Sequence, residues 1–207
     1  MFIIKKEEKI SFYSHLIGCI LALIGTVVLF YTAKGVSLKI VAVIYGLSVI
    51  TLFLSSSLYH ANKKYDIEIS VWRKLDHIAI FIMIAGTYTP VCHIYLSGYW
   101  KWSIIIVQWV LVLAGLFFKL FYLKAPRYLY TIIYILMGWM GIIPIAQFIK
   151  TMSGSALFYL FAGGVSFTIG AVFYILKKPK YFHEIFHLFI LLGAFLHYLL
   201  VYTAIIQ

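Results

Sequence analysis

Charge is the scarcest commodity in this chain. Only 11 % of its 207 residues are Asp, Glu, Lys or Arg, and only six of those are acids. A soluble domain of this size carries about a quarter charged residues, so this one lacks the polar surface to cover a core in water. Cysteine is nearly absent. Cys19 and Cys92 lie inside apolar runs without CxxC spacing, which reads as two small buried side chains and excludes a disulfide framework. There are four prolines and no polar low-complexity stretch, so no flexible linker divides the chain. The first apolar run is too long for a secretory h-region and has no small-x-small cleavage site, so it is expected to stay in the mature protein.

What fills the chain instead is apolar: 64 % hydrophobic residues and a mean hydropathy of +1.03. About 20 such residues cross the hydrocarbon of a bilayer as a helix. Seven stretches qualify, at 12–33, 40–61, 75–96, 102–122, 129–149, 155–176 and 182–205. The expected fold is all-α, a single domain over 1–207 built as a seven-helix transmembrane bundle. Pro90 and Pro144 fall inside the third and fifth runs and are expected to kink them.

The net charge of +11 does not point to nucleic acid, because no soluble basic domain exists to carry it. The cations instead report orientation. Thirteen of the 17, from Lys5, Lys6 and Lys9 to Lys177, Lys178 and Lys180, fall on the side of the N-terminus, with Lys64, Lys124 and Arg127 among them. Lys34, Lys39, Lys101 and Lys150 fall on the other. By the positive-inside rule the N-terminus faces the cytoplasm and the C-terminus lies outside. Tyr65, Trp72, Trp100 and Trp102 sit where an interfacial aromatic belt is expected, and Lys119, near the cytoplasmic end of its run, is expected to snorkel.

Ionisable groups inside hydrocarbon are costly, so their positions carry information. His60 closes the second run, Asp76 opens the third, and His183 and His187 open the seventh, all at the cytoplasmic level. His183 and His187 are i and i+4, about 40° apart around a helix, so both can face one cation. Three imidazoles with a fourth position open is a common catalytic zinc arrangement. Asp76 would take the fourth position directly or hold the metal's water and accept its proton. Iron, nickel or cobalt would suit the same ligands. Ser56, one turn before His60, shares its face, though a hydroxyl bonded back to its own helix is an equal reading. His15, at the start of the first run, is placed to support a ligand, and His197, about 15 Å deeper than His187 along its helix, to face the bundle interior. For His77 and His93 packing is the plainer reading. His183 to His187 also spells HExxH, which would make Glu184 the general base of an intramembrane protease.

These stretches resemble the hemolysin III proteins, the bacterial branch of the progestin and adipoQ receptor family. The resemblance is carried by Ser14 to Gly18, Ser56 to His60, Lys74 to His77, Gly86 to Pro90, His183 to His187 and Ala194 to His197, in matching order and spacing. It implies seven helices, a cytoplasmic N-terminus, and zinc held by His60, His183 and His187 with Asp76 contacting it through water. Because the adiponectin-receptor branch has Gln at the position of Glu184, the family pattern does not require the protease base. The chain lacks the long N-terminal extension of the eukaryotic receptors, which argues against a receptor role. The family is similar to alkaline ceramidases, and the function this implies is hydrolysis of a lipid amide or ester in a bacterial cell membrane. Asp76 and Ser56 would then be the catalytic residues and membrane lipid the partner. A non-enzymatic membrane-homeostasis or sensor role with a structural metal, and a pore-forming role suggested by the family name, are the alternatives. Nothing in the residues supports a pore, and polar groups across the membrane (His197, Gln108, Thr87) are too sparse for a transport path.

Overall fold

The computed structural model describes residues 4–63, 70–121, 126–176 and 181–207, with the side chain of Arg127 excepted. Lys64, Tyr65, Lys124, Lys177, Lys178 and Lys180 lie outside the described residues. A 3-10 turn, Lys6–Glu8, leads into α1 (Lys9–Thr32). Then follow α2 (Val36–Asn62), α3 (Val71–Tyr95), α4 (Gly98–Phe121), α5 (Arg127–Gly138), α6 (Ile145–Thr151), α7 (Gly154–Ile175) and α8 (Phe182–Ile205). No strand occurs among the described residues.

Six of these helices are long and apolar enough to cross a membrane, and α5 with α6 makes a seventh if the bent pair is one span. Their outer faces are apolar, with Leu21, Phe117 and Phe158 each more than half exposed, while Ser56, Gln108 and His187 are at most 2 % exposed. Apolar groups outside and hydrogen-bonded polar groups inside is the distribution lipid demands. The chain is a multi-pass helical membrane protein. Helices begin up to four residues before the apolar runs because helical backbone continues past the hydrocarbon, as in α3 from Val71 and α4 from Gly98.

Three connections are tight: 33–35, 96–97 and 152–153. Gly35, at φ 84°, supplies the left-handed backbone that reverses the chain between α1 and α2. These turns share one end of the bundle, the end carrying Lys34, Lys39, Lys101 and Lys150. Both helix pairs at the N-terminal side pack closely. A Cβ on Gly46 would strike Thr26 and one on Gly86 would strike Ser48, so glycine sets the approach of α2 to α1 and of α3 to α2. The helix α8 touches α1, α2, α3 and α7, and α3 touches α2, α4, α5, α6 and α8, so these two helices tie the bundle together.

The two prolines behave differently. At Pro144 the fifth span breaks, bending by 55° between Tyr128–Ile142 and Ile145–Thr151. Backbone groups freed there find side chains from neighbouring helices. The Tyr88 hydroxyl donates to the Gly138 carbonyl and accepts from the Gly141 amide, both at 2.7 Å. The Gln108 amide donates to the Met137 carbonyl at 2.9 Å. α3, by contrast, continues through Pro90 without a break. Lys119 does not snorkel. It is buried, with its ammonium 4.2 Å from the centre of the Tyr130 ring, where a cation–π contact replaces water. Cys19 and Cys92 are buried free thiols.

Candidate metal centre

His60 stands in the last turn of α2, and His183 and His187 lie in the first two turns of α8, at the end of the bundle where α1 and α3 also begin. One nitrogen from each of the three lies within 4.8 Å of the others. The Nε2 atoms of His183 and His187 are 3.0 Å apart, and the His60 ring centre is 5.3 Å and 4.8 Å from theirs. Without an ion, an N–H of one imidazole can hydrogen-bond to the bare nitrogen of the next at this separation; with one, all three nitrogens can turn their lone pairs to it. In a tetrahedral zinc site with Zn–N bonds of about 2.0–2.1 Å, neighbouring nitrogens sit about 3.3 Å apart, so the spacing is compatible with a metal.

The far side of each buried ring is held. His60 Nδ1 donates to Glu8 Oε2 at 2.6 Å, which leaves its Nε2 lone pair for the cluster. Lys63 closes the other carboxylate oxygen at 2.5 Å. Glu8 is only 6 % exposed, so this is an interior ion pair. His187 Nδ1 lies 2.7 Å from His15 Nε2. Metal-ligating histidines almost always have their second nitrogen fixed in this way, because it selects the tautomer and the ring angle.

Asp76, in the second turn of α3, is outside the 4.8 Å group but faces the same space, where it keeps 18 % of its side-chain surface. Ser56 is within hydrogen-bonding reach of it, and Lys119 and Arg73 contribute positive potential around it. Ser56 is distinguished from its neighbours: Ser55 and Ser57 bond back to Thr51 and Phe53 of their own helix, whereas Ser56 lines the cavity. Of the other histidines, His77 bonds to the Arg73 carbonyl and His93 to Ser37 at the opposite end. His183 and His187 line the cavity and Glu184 between them does not.

Glu8 is the residue that inspection of the sequence passes over, because it reads as one more charge in a solvated tail with Lys5, Lys6 and Lys9. Its signal is scarcity: the chain has six acids, and two of them, Glu7 and Glu8, stand at the start of the first span.

The cluster stands at one end of a cavity of about 530 Å³ lined by α1, α2, α3, α5, α7 and α8. Its walls change from His60, Asp76 and Lys63 to Ile84, Phe167 and Ile190, and it reaches His197. That size falls within the usual range for a small-molecule site. Fold and site thus define a class, a helical membrane protein with a three-histidine cluster opening into an internal chamber.

The Haemolysin-III related family matches residues 3–198, and the chain belongs to that family. It is 35 % identical to Hemolysin-3 of Bacillus cereus over 91 % of this chain and 87 % of that one. To the Hemolysin-3 homolog of Bacillus subtilis it is 36 % identical, over 91 % and 90 %. A more distant likeness, 26 % identity, links it to the Adiponectin receptor protein of Drosophila melanogaster, covering 92 % of this chain and 49 % of the receptor. No solved structure matches the chain.

Proposed function

We propose that this protein is a zinc-dependent hydrolase of a lipid amide or ester, set in the bacterial cell membrane with the histidine cluster near the cytoplasmic face. One observation carries the reading. Three imidazoles, a carboxylate and the Ser56 hydroxyl converge at one end of a chamber whose remaining wall is mostly apolar. Head-group chemistry is thereby placed beside room for a hydrocarbon chain.

In this reading His60, His183 and His187 hold the metal through Nε2. When bound, zinc supplies Lewis acidity, making water nucleophilic at neutral pH and polarising a carbonyl oxygen. Glu8 and His15 hold the His60 and His187 rings, with each Nδ1–H donating outward so that each Nε2 keeps its lone pair. The Asp76 carboxylate orients the attacking water and accepts its proton. Ser56 spends its single O–H on Asp76 in the empty site and turns it to the substrate carbonyl oxygen as charge develops there. The apolar stretch of the chamber takes the acyl chain and excludes water around it. The cytoplasmic placement follows from the thirteen-to-four bias of Lys and Arg.

The test is metal content by mass spectrometry together with turnover of ceramide and long-chain acyl esters by the purified protein. About one zinc per chain is expected in the wild type and in Asp76→Ala, and none in His60→Ala or His187→Ala. Turnover should require both the metal and Asp76. Hydrolysis by metal-free His60→Ala would overturn the mechanism, and a wild type purified without chelators yet free of metal would remove its basis.

A further inference from the structure

The cavity does not end in hydrocarbon. At its inner end stands His197, ten residues beyond His187 on α8 and so about 15 Å deeper along the helix axis. An ionisable side chain at that depth is costly unless it serves a purpose. It lines both the main chamber and a smaller one of about 50 Å³ that adjoins it, sharing Thr87, Tyr88 and Trp139 with it.

The other polar groups there are already engaged. Thr87 donates to the Met83 carbonyl, Tyr88 bridges Gly138 and Gly141, and Trp139 donates to Thr168, which donates to Gly164. His197 has, among the described residues, one hydrogen bond, a long one of 3.4 Å from Nε2 to the Leu160 carbonyl. Its ring is also seated. The Cδ2–Nε2 edge lies so close to α7 that a Cβ on Gly163 would collide with it, and Phe167 packs against it edge-on at 5.3 Å.

Chemistry then settles the tautomer. A carbonyl only accepts, so Nε2 carries the proton, and Nδ1, on the ring edge turned away from α7, presents a lone pair. The group that completes this site is therefore a donor.

We infer that His197 Nδ1 binds a hydroxyl carried part-way along the acyl chain of the lipid whose amide or ester lies at the three-histidine end. The ligand class is a long-chain hydroxyacyl lipid, with the hydroxyl about 15 Å from the head group. An ether or keto oxygen at that position would meet lone pair with lone pair and gain nothing. This inference rests on the lipid-hydrolase reading for the orientation of the chain, yet it is testable by binding alone.

The experiment is equilibrium displacement of a fluorescent fatty acid from the purified full-length protein by oleate, by ricinoleate (its mid-chain hydroxy analogue), and by a fatty acid of the same length hydroxylated beside the carboxylate. Ricinoleate should bind about three- to tenfold more tightly than oleate, the factor one neutral hydrogen bond carries. The hydroxyl beside the carboxylate should give no such gain. In His197→Phe, and in His197→Leu should the larger ring disturb folding, the ratio of ricinoleate to oleate affinity, each measured on the same variant, should fall to about one. Equal binding of oleate and ricinoleate by the wild type, a preference that survives both substitutions, or failure of either acid to displace the probe would overturn the inference. Failure of the hydrolase reading looks different: zinc-loaded protein would turn over no amide or ester, and the ricinoleate preference would persist.

Discussion

Replacing Glu8 by Gln tests whether the amino-terminal turn is part of the metal centre. The substitution keeps the side chain's shape and one carbonyl oxygen for His60 Nδ1, but removes the charge that both His60 and Lys63 face at 2.6 Å and 2.5 Å. Hydrogen bonds involving an ionised group contribute about 1.5–3 kcal/mol and neutral ones about 0.5–1.5 kcal/mol. The loss at His60 is therefore about 1.4 kcal/mol, or tenfold in zinc affinity, at the lower end of the range for losing such an outer partner. Glu8→Ala, which removes the acceptor altogether, should cost up to about a hundredfold. The assay is competition for zinc against a chromophoric chelator in detergent. Thermal unfolding with and without the metal separates binding from folding, since a tenfold weaker site loses about 1.4 kcal/mol of metal-dependent stabilisation at saturating zinc. A zinc affinity within twofold of wild type in both variants would refute the reasoning and reduce the Glu8–His60 pair to an anchor for the first helix.

Glu184→Gln should leave zinc content and any hydrolytic turnover within twofold of wild type, because Glu184 does not line the chamber. A loss of turnover with metal retained would revive the HExxH base. Gln108→Leu should destabilise the bundle by about 1 kcal/mol in denaturant titration, having removed the donor to the Met137 carbonyl beside the break in the fifth span. Unchanged stability would mean that this carbonyl is satisfied in another way.

Much of the molecule is legible in the residues because the membrane imposes a local rule. Hydrocarbon accepts backbone only when its hydrogen bonds close within the segment, so each apolar run of sufficient length must be a helix, whatever it packs against. The spans from 40–61 and 182–205 are visible for that reason, and so is the bend at Pro144, where a missing N–H acts within one turn. The HxxxH pair of His183 and His187 is legible for a similar reason, since four residues of helix bring both side chains to one face. His60 and Asp76 needed one further step, the alternation of helix direction, which equalises their depth without saying how near they come.

Tertiary structure alone decided what lies behind the histidines. Glu8 and His60 are 52 residues apart, and His15 and His187 are 172 apart. No periodicity links such pairs, because their distance depends on how α1 packs against α2 and α8. The direction of Lys119 was decided in the same way: the Tyr130 ring it meets belongs to another helix. The chamber joining the cluster to His197 is a property of six helices together, a volume left unfilled by side chains. Local sequence determined each helix and the depth of each polar residue. The packing between helices, where side-chain shape and hydrogen-bond geometry act across long stretches of chain, decided which of those residues meet.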